Sequence, residues 1–148
     1  MIRDSRPEDI ERITELTQKV YGAFLIKHGL PIDHANLKET VATYIDNNLC
    51  LVVERDDRIV GIAAWTFVPH PANYQCYIFQ ETLWCLDSPN VMDASILLKA
   101  IERKARELKA DIIILGNLAI ENEARLRRIY KNLGYEYLET QYAKSIGE

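Results

Sequence analysis

The sequence predicts an α/β domain with a mixed, mostly antiparallel sheet and helices on both faces. Three observations carry that prediction. Read by hydrophobic period, the elements follow in the order β-α-α-β-β-β-α-β-α-β-β. Two apolar runs, 49–54 and 59–67, are joined only by Arg55-Asp56-Asp57-Arg58, a connection short enough for a hairpin. The stretch 111–135, DIIILGNLAIENEARLRRIYKNLGY, reads as a buried strand, a turn, an amphipathic helix and a stop. At 148 residues the chain is expected to form one domain spanning 1–148. That length buries roughly 70% of the unfolded surface, enough for a core without disulfides.

Taken in order, Ile2-Arg3-Asp4 is a short first strand. Ser5 is placed to cap the helix that follows, with Pro7, Glu8 and Asp9 in its first turn. Ile10, Ile13, Leu16, Val20 and Phe24 then recur at helical spacing. Gly29 and Pro31 interrupt the helix, and a second runs from about Asn36 to Asn47 with Leu37, Val41, Tyr44 and Ile45 on its buried side. The second arm of the hairpin is almost wholly apolar and is expected to be buried on both faces. Residues 68–73 read as a loop and Tyr74 to Leu86 as the next strand. Strict alternation along that strand puts Glu81 on one face between Phe79 and Leu83. Met92 to Leu108 is a long helix with Ala94, Leu97, Ile101, Ala105 and Leu108 on one stripe. In the last third, Leu126, Ile129 and Leu133 share a helix face, Gly134 stops it, and Tyr135 enters a strand.

Composition narrows the function. The chain is 48% hydrophobic and 27% charged with a net charge of −4, ordinary for a globular protein and adverse to a dedicated nucleic-acid binder. The basic residues Arg125, Arg127, Arg128 and Lys131 have no aromatic platform beside them. No apolar run approaches the roughly 20 residues that span a bilayer, and MIRDSRPED has no apolar signal core, so a cytoplasmic protein is expected. Cys50, Cys76 and Cys85 lie in strand-like runs and read as free thiols. His28, His34 and His70 are dispersed without zinc spacing, and no metal is expected.

The strand-helix-Gly-aromatic run, with Asn122 opening the helix, Tyr130 in its last full turn and Gly134-Tyr135 after it, resembles the C-terminal half of the GCN5-related N-acetyltransferases. Tyr142-Ala-Lys-Ser-Ile looks like that family's closing strand. The resemblance implies acetyl-CoA as co-substrate and a primary amine, on a small molecule or peptide, as acceptor. It implies catalytic roles for Glu81, as general base on the fourth strand, and for Tyr130, as the acid that protonates the leaving thiolate. Burial of Glu81 would raise its pKa and suit it to the task; its other reading is a surface or arginine-paired carboxylate, and Tyr130's is a core tyrosine. Backbone N–H groups around Trp84, Cys85 and Leu86 would support the thioester carbonyl. Asn90, Val91, Met92, Asp93, Ala94, Asn117 and Asn122 would line the cofactor, and Tyr21, Phe24 and His28 the acceptor. A homodimer is compatible with all of this.

One stretch departs from the family pattern. The family binds pyrophosphate on a glycine-rich turn before the long helix, where backbone donors and the helix dipole meet the anion. Here that turn is Asp87-Ser88-Pro89-Asn90-Val91-Met92-Asp93-Ala94-Ser95, with neither glycine nor arginine. Pro89 removes a donor, and Asp87 and Asp93 would repel phosphate. Two readings follow: a weakened cofactor site, or a non-catalytic protein of the same fold serving as a regulator or a phage accessory component.

Overall fold

The computed structural model describes residues 1–116 and 123–147, apart from the side chain of Val91. Two compact units divide the chain, Met1–Leu115 and Gly116–Glu148.

The first unit is built on a five-stranded sheet in the order β1-β2-β3-β4-β5, where β1 is Ile2–Asp4, β2 Cys50–Arg55, β3 Arg58–His70, β4 Asn73–Leu86 and β5 Ile112–Ile114. The first four strands pair antiparallel and β5 joins β4 in parallel. The β2–β3 hairpin is tight because Asp56 and Asp57 both take positive φ, at 48° and 58°, the conformation that matches strand twist in a two-residue turn. The second hairpin is tighter than expected. The segment read as a loop, 68–73, contributes Val68 to His70 to β3 and Asn73 to β4, leaving Pro71 and Ala72 as the turn. Pro69 is tolerated because the register slips between Pro69 and His70, where a ladder donor is dispensable.

Helices cover both faces. On one side, α1 (Ile10–Thr17) and α3 (His34–Asp46) bring Ile13, Leu16, Val41 and Ile45 onto Cys50, Val52, Ile62, Ala64 and Leu83. The long helix α4 (Val91–Glu107) packs against β2 and β4, with Leu97, Leu98 and Ile101 fully buried. The first predicted helix is segmented: a turn of 3-10 helix at Pro7–Asp9, then α1, a π-turn at Gln18–Gly22, and α2 (Ala23–Lys27). Ser5 does not cap it. The Arg6 N–H donates instead to Asp9 Oδ2 at 2.7 Å, and Asp9 also takes two hydrogen bonds from Arg3. Burial acts to raise the Asp9 carboxyl pKa, but those bonds and the guanidinium charge outweigh it and hold it below the usual value.

The second unit contains α5 (Glu123–Asn132). Gly134 at φ 86° lets the Tyr135 N–H return to the Tyr130 carbonyl at 3.0 Å, closing the helix as expected. The two strands expected beyond it, from Tyr135 and at Tyr142 to Ile146, do not form. A strand needs a neighbour for its ladder, and the second unit holds none among the described residues. The apolar alternation also breaks at Leu138, and Tyr137, Leu138, Tyr142 and Ile146 are exposed.

Candidate functional site

The site begins with a fault in β4. Register pairs Trp65 with Glu81 and Ala64 with Leu83, so Thr82 is one residue too many for the ladder. Such a bulge bends its strand and reverses the alternation of side chains beyond it. Phe79 therefore stacks on Trp65, with centroids 5.0 Å apart, whereas Leu83 and Cys85 join the core beneath α1 and α3. This corrects the sequence reading: Glu81 does not share a face with both Phe79 and Leu83. It lies opposite Trp65, half-buried, at the point where the strand turns.

β4 pairs with β5 from Ile78 to Gln80, opposite Ile112 to Ile114, where β5 ends. From Glu81 to Leu86 its only partner strand among the described residues is β3, with Trp84, Cys85 and Leu86 opposite Ala63, Ile62 and Gly61.

Tyr21 reaches this bend from the π-turn, a helix irregularity common at functional sites. Its hydroxyl donates to the Thr82 carbonyl at 3.2 Å and lies 3.3 Å from the Tyr44 hydroxyl. Burial pushes the Tyr21 hydroxyl pKa up; Tyr44 and the negative field of Glu81 push the same way, and the bond to Thr82 opposes them. Tyr21 and Glu81 are thus brought together, and Tyr44 and Thr82 are added to them. Thr82 Oγ1 is buried and makes no hydrogen bond. Sequence reasoning did not place Tyr44 beside Tyr21 because it reads as ordinary helix stripe, nor Thr82 because a bulge depends on a partner strand. Phe24 and His28 lie further along and pack against each other at a tilt, centroids 4.8 Å apart, with Phe24 exposed.

The N-terminus of α4 is occupied by its own side chains. Asn90 caps it: Oδ1 accepts from the Met92 N–H at 3.0 Å, and the Asn90 carbonyl accepts from the Asp93 N–H at 3.1 Å. The Asn90 N–H donates to Ser88 Oγ at 3.1 Å, and Ser88 Oγ donates to Asp93 Oδ2 at 2.7 Å. Arg55 Nη2 reaches the other carboxylate oxygen at 2.5 Å. Asp93 is only 1% exposed. The Arg55 hydrogen bond, then that from Ser88, holds its carboxyl below the usual range. Asp93 is therefore no stray charge beside an anion site. The N-x-x-D spacing from Asn90 to Asp93, close to a capping box, was the available signal. Met92 is exposed and Ala94 half-buried. The residues present fit a pyrophosphate poorly at this turn, because the Asn90, Met92 and Asp93 N–H groups are bonded to Ser88 and Asn90, and the buried Asp93 carboxylate holds Arg55. Beside the turn, Asp87 Oδ2 accepts from Arg12 at 2.9 Å and pairs with Lys19 at 3.0 Å, tying α1 and the π-turn to the end of β4.

In the second unit, the Tyr130 hydroxyl donates to the Gly116 carbonyl at 3.0 Å and its ring meets Tyr135 edge-on at 5.6 Å. Asn117 and Asn122 lie outside the described residues, as does the side chain of Val91. The three cysteines are free; burial pushes the Cys50 thiol pKa up to about 12 and raises that of Cys85. Among the described residues no helix is long and apolar enough to cross a membrane.

A sheet of four antiparallel strands and a parallel fifth, bent at its fourth strand and covered by helices on both faces, is the fold of the GCN5-related N-acetyltransferases. Solved structures match it along the whole chain. One, described as "a probable acetyltransferase", superposes with a TM-score of 0.75 at 13% identity, over 100% of this chain and 99% of its own. A predicted acetyltransferase with acetyl-CoA from Clostridium acetobutylicum gives 0.70 at 19%, over 97% and 94%. A GNAT family acetyltransferase from Staphylococcus aureus gives 0.66 at 15%, over 99% and 98%. At these identities the likeness is one of fold. No family model and no curated protein matches the sequence.

Proposed function

We propose that this chain transfers an acetyl group from a pantetheine thioester, of which acetyl-CoA is the common example, to a primary amine. The observation that carries this reading is the bulge at Thr82, which sets half-buried Glu81 opposite Trp65, within the field of Tyr21 and just past the last β4–β5 pair at Gln80. In this reading the backbone beyond that point, around Trp84 to Leu86, supports the thioester carbonyl. When bound, the donor supplies an activated acyl group; the chain supplies position and proton handling. Glu81 takes the proton from the ammonium so that the amine can attack. Tyr21, fixed by Tyr44 and the Thr82 carbonyl, borders the amine with Phe24 and His28. Tyr130 is assigned the return of a proton to the leaving thiolate, for which its hydroxyl must release the Gly116 carbonyl. The acceptor is a small-molecule or peptide amine, with neither nucleic acid nor membrane involved, and light scattering decides whether the chain works as a homodimer.

A second reading, a non-catalytic protein of this fold, is favoured by one observation: the closed N-terminus of α4. Thiol release from acetyl-CoA, measured against a panel of primary amines, separates the two. Amine-dependent release supports the transferase. Its absence across the panel, with no binding of the donor, supports the non-catalytic protein.

A further inference from the structure

The turn before α4 holds an anion already, and it is a residue of the chain. Asp93 presents one carboxylate oxygen to Arg55 and the other to Ser88, in a setting only 1% exposed. A phosphate at a helix N-terminus would seek the same kinds of partner: a guanidinium, a hydroxyl and backbone N–H groups. Three of the turn's backbone donors are committed as well: the Asn90, Met92 and Asp93 N–H groups end on Ser88 Oγ, Asn90 Oδ1 and the Asn90 carbonyl. Pro89 has no N–H to offer. The shallow cavity beside the turn, about 370 Å³, is lined by Asp56, Asp87 and Asp93 as well as Arg55 and Arg58, and Arg55 is already paired with Asp93.

We infer that Asp93 replaces the donor's pyrophosphate at this turn, so that the acyl donor is recognised through its pantetheine thioester limb and its nucleotide adds nothing to binding. The inference rests on the acyl-transfer reading and names the part of the donor that matters to it. β4 runs on past its last pair with β5 at Gln80, carrying Glu81 with it, whereas at the α4 turn the Asn90, Met92 and Asp93 N–H groups are already bonded. Donors without a nucleotide, such as free acylated pantetheine or an acylated pantetheine arm on another molecule, then become substrates as good as acetyl-CoA.

The test is a calorimetric titration of the whole chain with S-acetylpantetheine and, separately, with acetyl-CoA. Dissociation constants within about threefold of each other are expected; each charge-assisted bond to phosphate would otherwise add about tenfold or more. Acetyl-CoA tighter by about 30-fold would overturn the inference while leaving acyl transfer standing. Binding of neither at millimolar concentration would remove the acyl-transfer reading and this inference with it. Asp93→Asn sharpens the result: by freeing Arg55 it should give acetyl-CoA an advantage of about tenfold over S-acetylpantetheine. A folded variant without that advantage would show that Asp93 is not the closing group. Should the variant fail to fold, the comparison of the two thioesters on the unaltered chain still decides.

Discussion

The carboxyl half of β4 and the N-terminus of α4 are separated by a single short turn, 87–90, yet they treat their backbone polar groups in different ways. At β4 the bulge shifts the register at Thr82, and pairing with β5 goes no further than Gln80. At α4, Ser88 and Asn90 accept from the turn's own N–H groups, and Asp93 takes bonds from Ser88 and Arg55. Leaving such groups open has a cost in stability that a ligand can repay; closing them stabilises the fold and shuts the site. On the proposed reading, the contrast is between a strand that presents a reacting group and a turn that has given up its phosphate.

The largest effect should come from the β4 side. Glu81→Gln keeps shape and removes the base, so kcat for amine acetylation should fall by roughly 10²–10⁴-fold. Steady-state kinetics with a reactive acceptor read this out; an unchanged kcat would leave β4 without its proposed base. Tyr130→Phe should lower kcat over a similar range of roughly 10²–10⁴-fold with donor affinity nearly constant. If the hydroxyl only serves the Gly116 carbonyl, kcat holds and the melting temperature drops, and Tyr130 leaves the catalytic set.

Next in size is a packing change beneath the end of β4. A Cβ on Gly61 would overlap Leu86 Cδ2 and meet the Cys85 carbonyl oxygen and Val53 Cγ2, each at 3.2 Å. Gly61→Ala should therefore cost about 1–3 kcal/mol and weaken donor binding by displacing the end of β4. Chemical denaturation shows the first effect and calorimetry the second; full stability would mean that Leu86 moves aside freely.

The closed side predicts a smaller, pH-dependent effect. The Asp93 carboxyl is held below its ordinary pKa, by Arg55 first and Ser88 second. A depressed folded-state pKa gives stabilisation that is fully present above the unfolded value and lost as pH falls through the folded one. Asp93→Asn should thus cost about 1–3 kcal/mol near neutrality. The gap between variant and parent should narrow below about pH 4. Melting curves across that range check it, and a gap independent of pH would mean that charge is not what holds the turn.

The sequence made most of the scaffold legible. Period alone placed the buried faces of α1, α3 and α4, and the paired aspartates placed the first hairpin. Properties of pairing were not legible. Nothing within residues 73–86 marks Thr82 as the extra residue, because a bulge exists only relative to β3. The closing strands were read from a local pattern, but a strand forms only where another accepts it. The setting of Asp93 was not legible for a related reason. Its charge is plain in the sequence, whereas its pairing depends on Arg55 arriving from another strand.

The account stands most directly on one spectrum: backbone amide shifts of the isotope-labelled chain, followed as acetyl-CoA is added. Glu81 to Leu86 should move in proportion to occupancy, while Asn90, Met92 and Asp93 stay in place because their N–H groups are already bonded. Large shifts at Asn90 to Asp93 with β4 unmoved would contradict it.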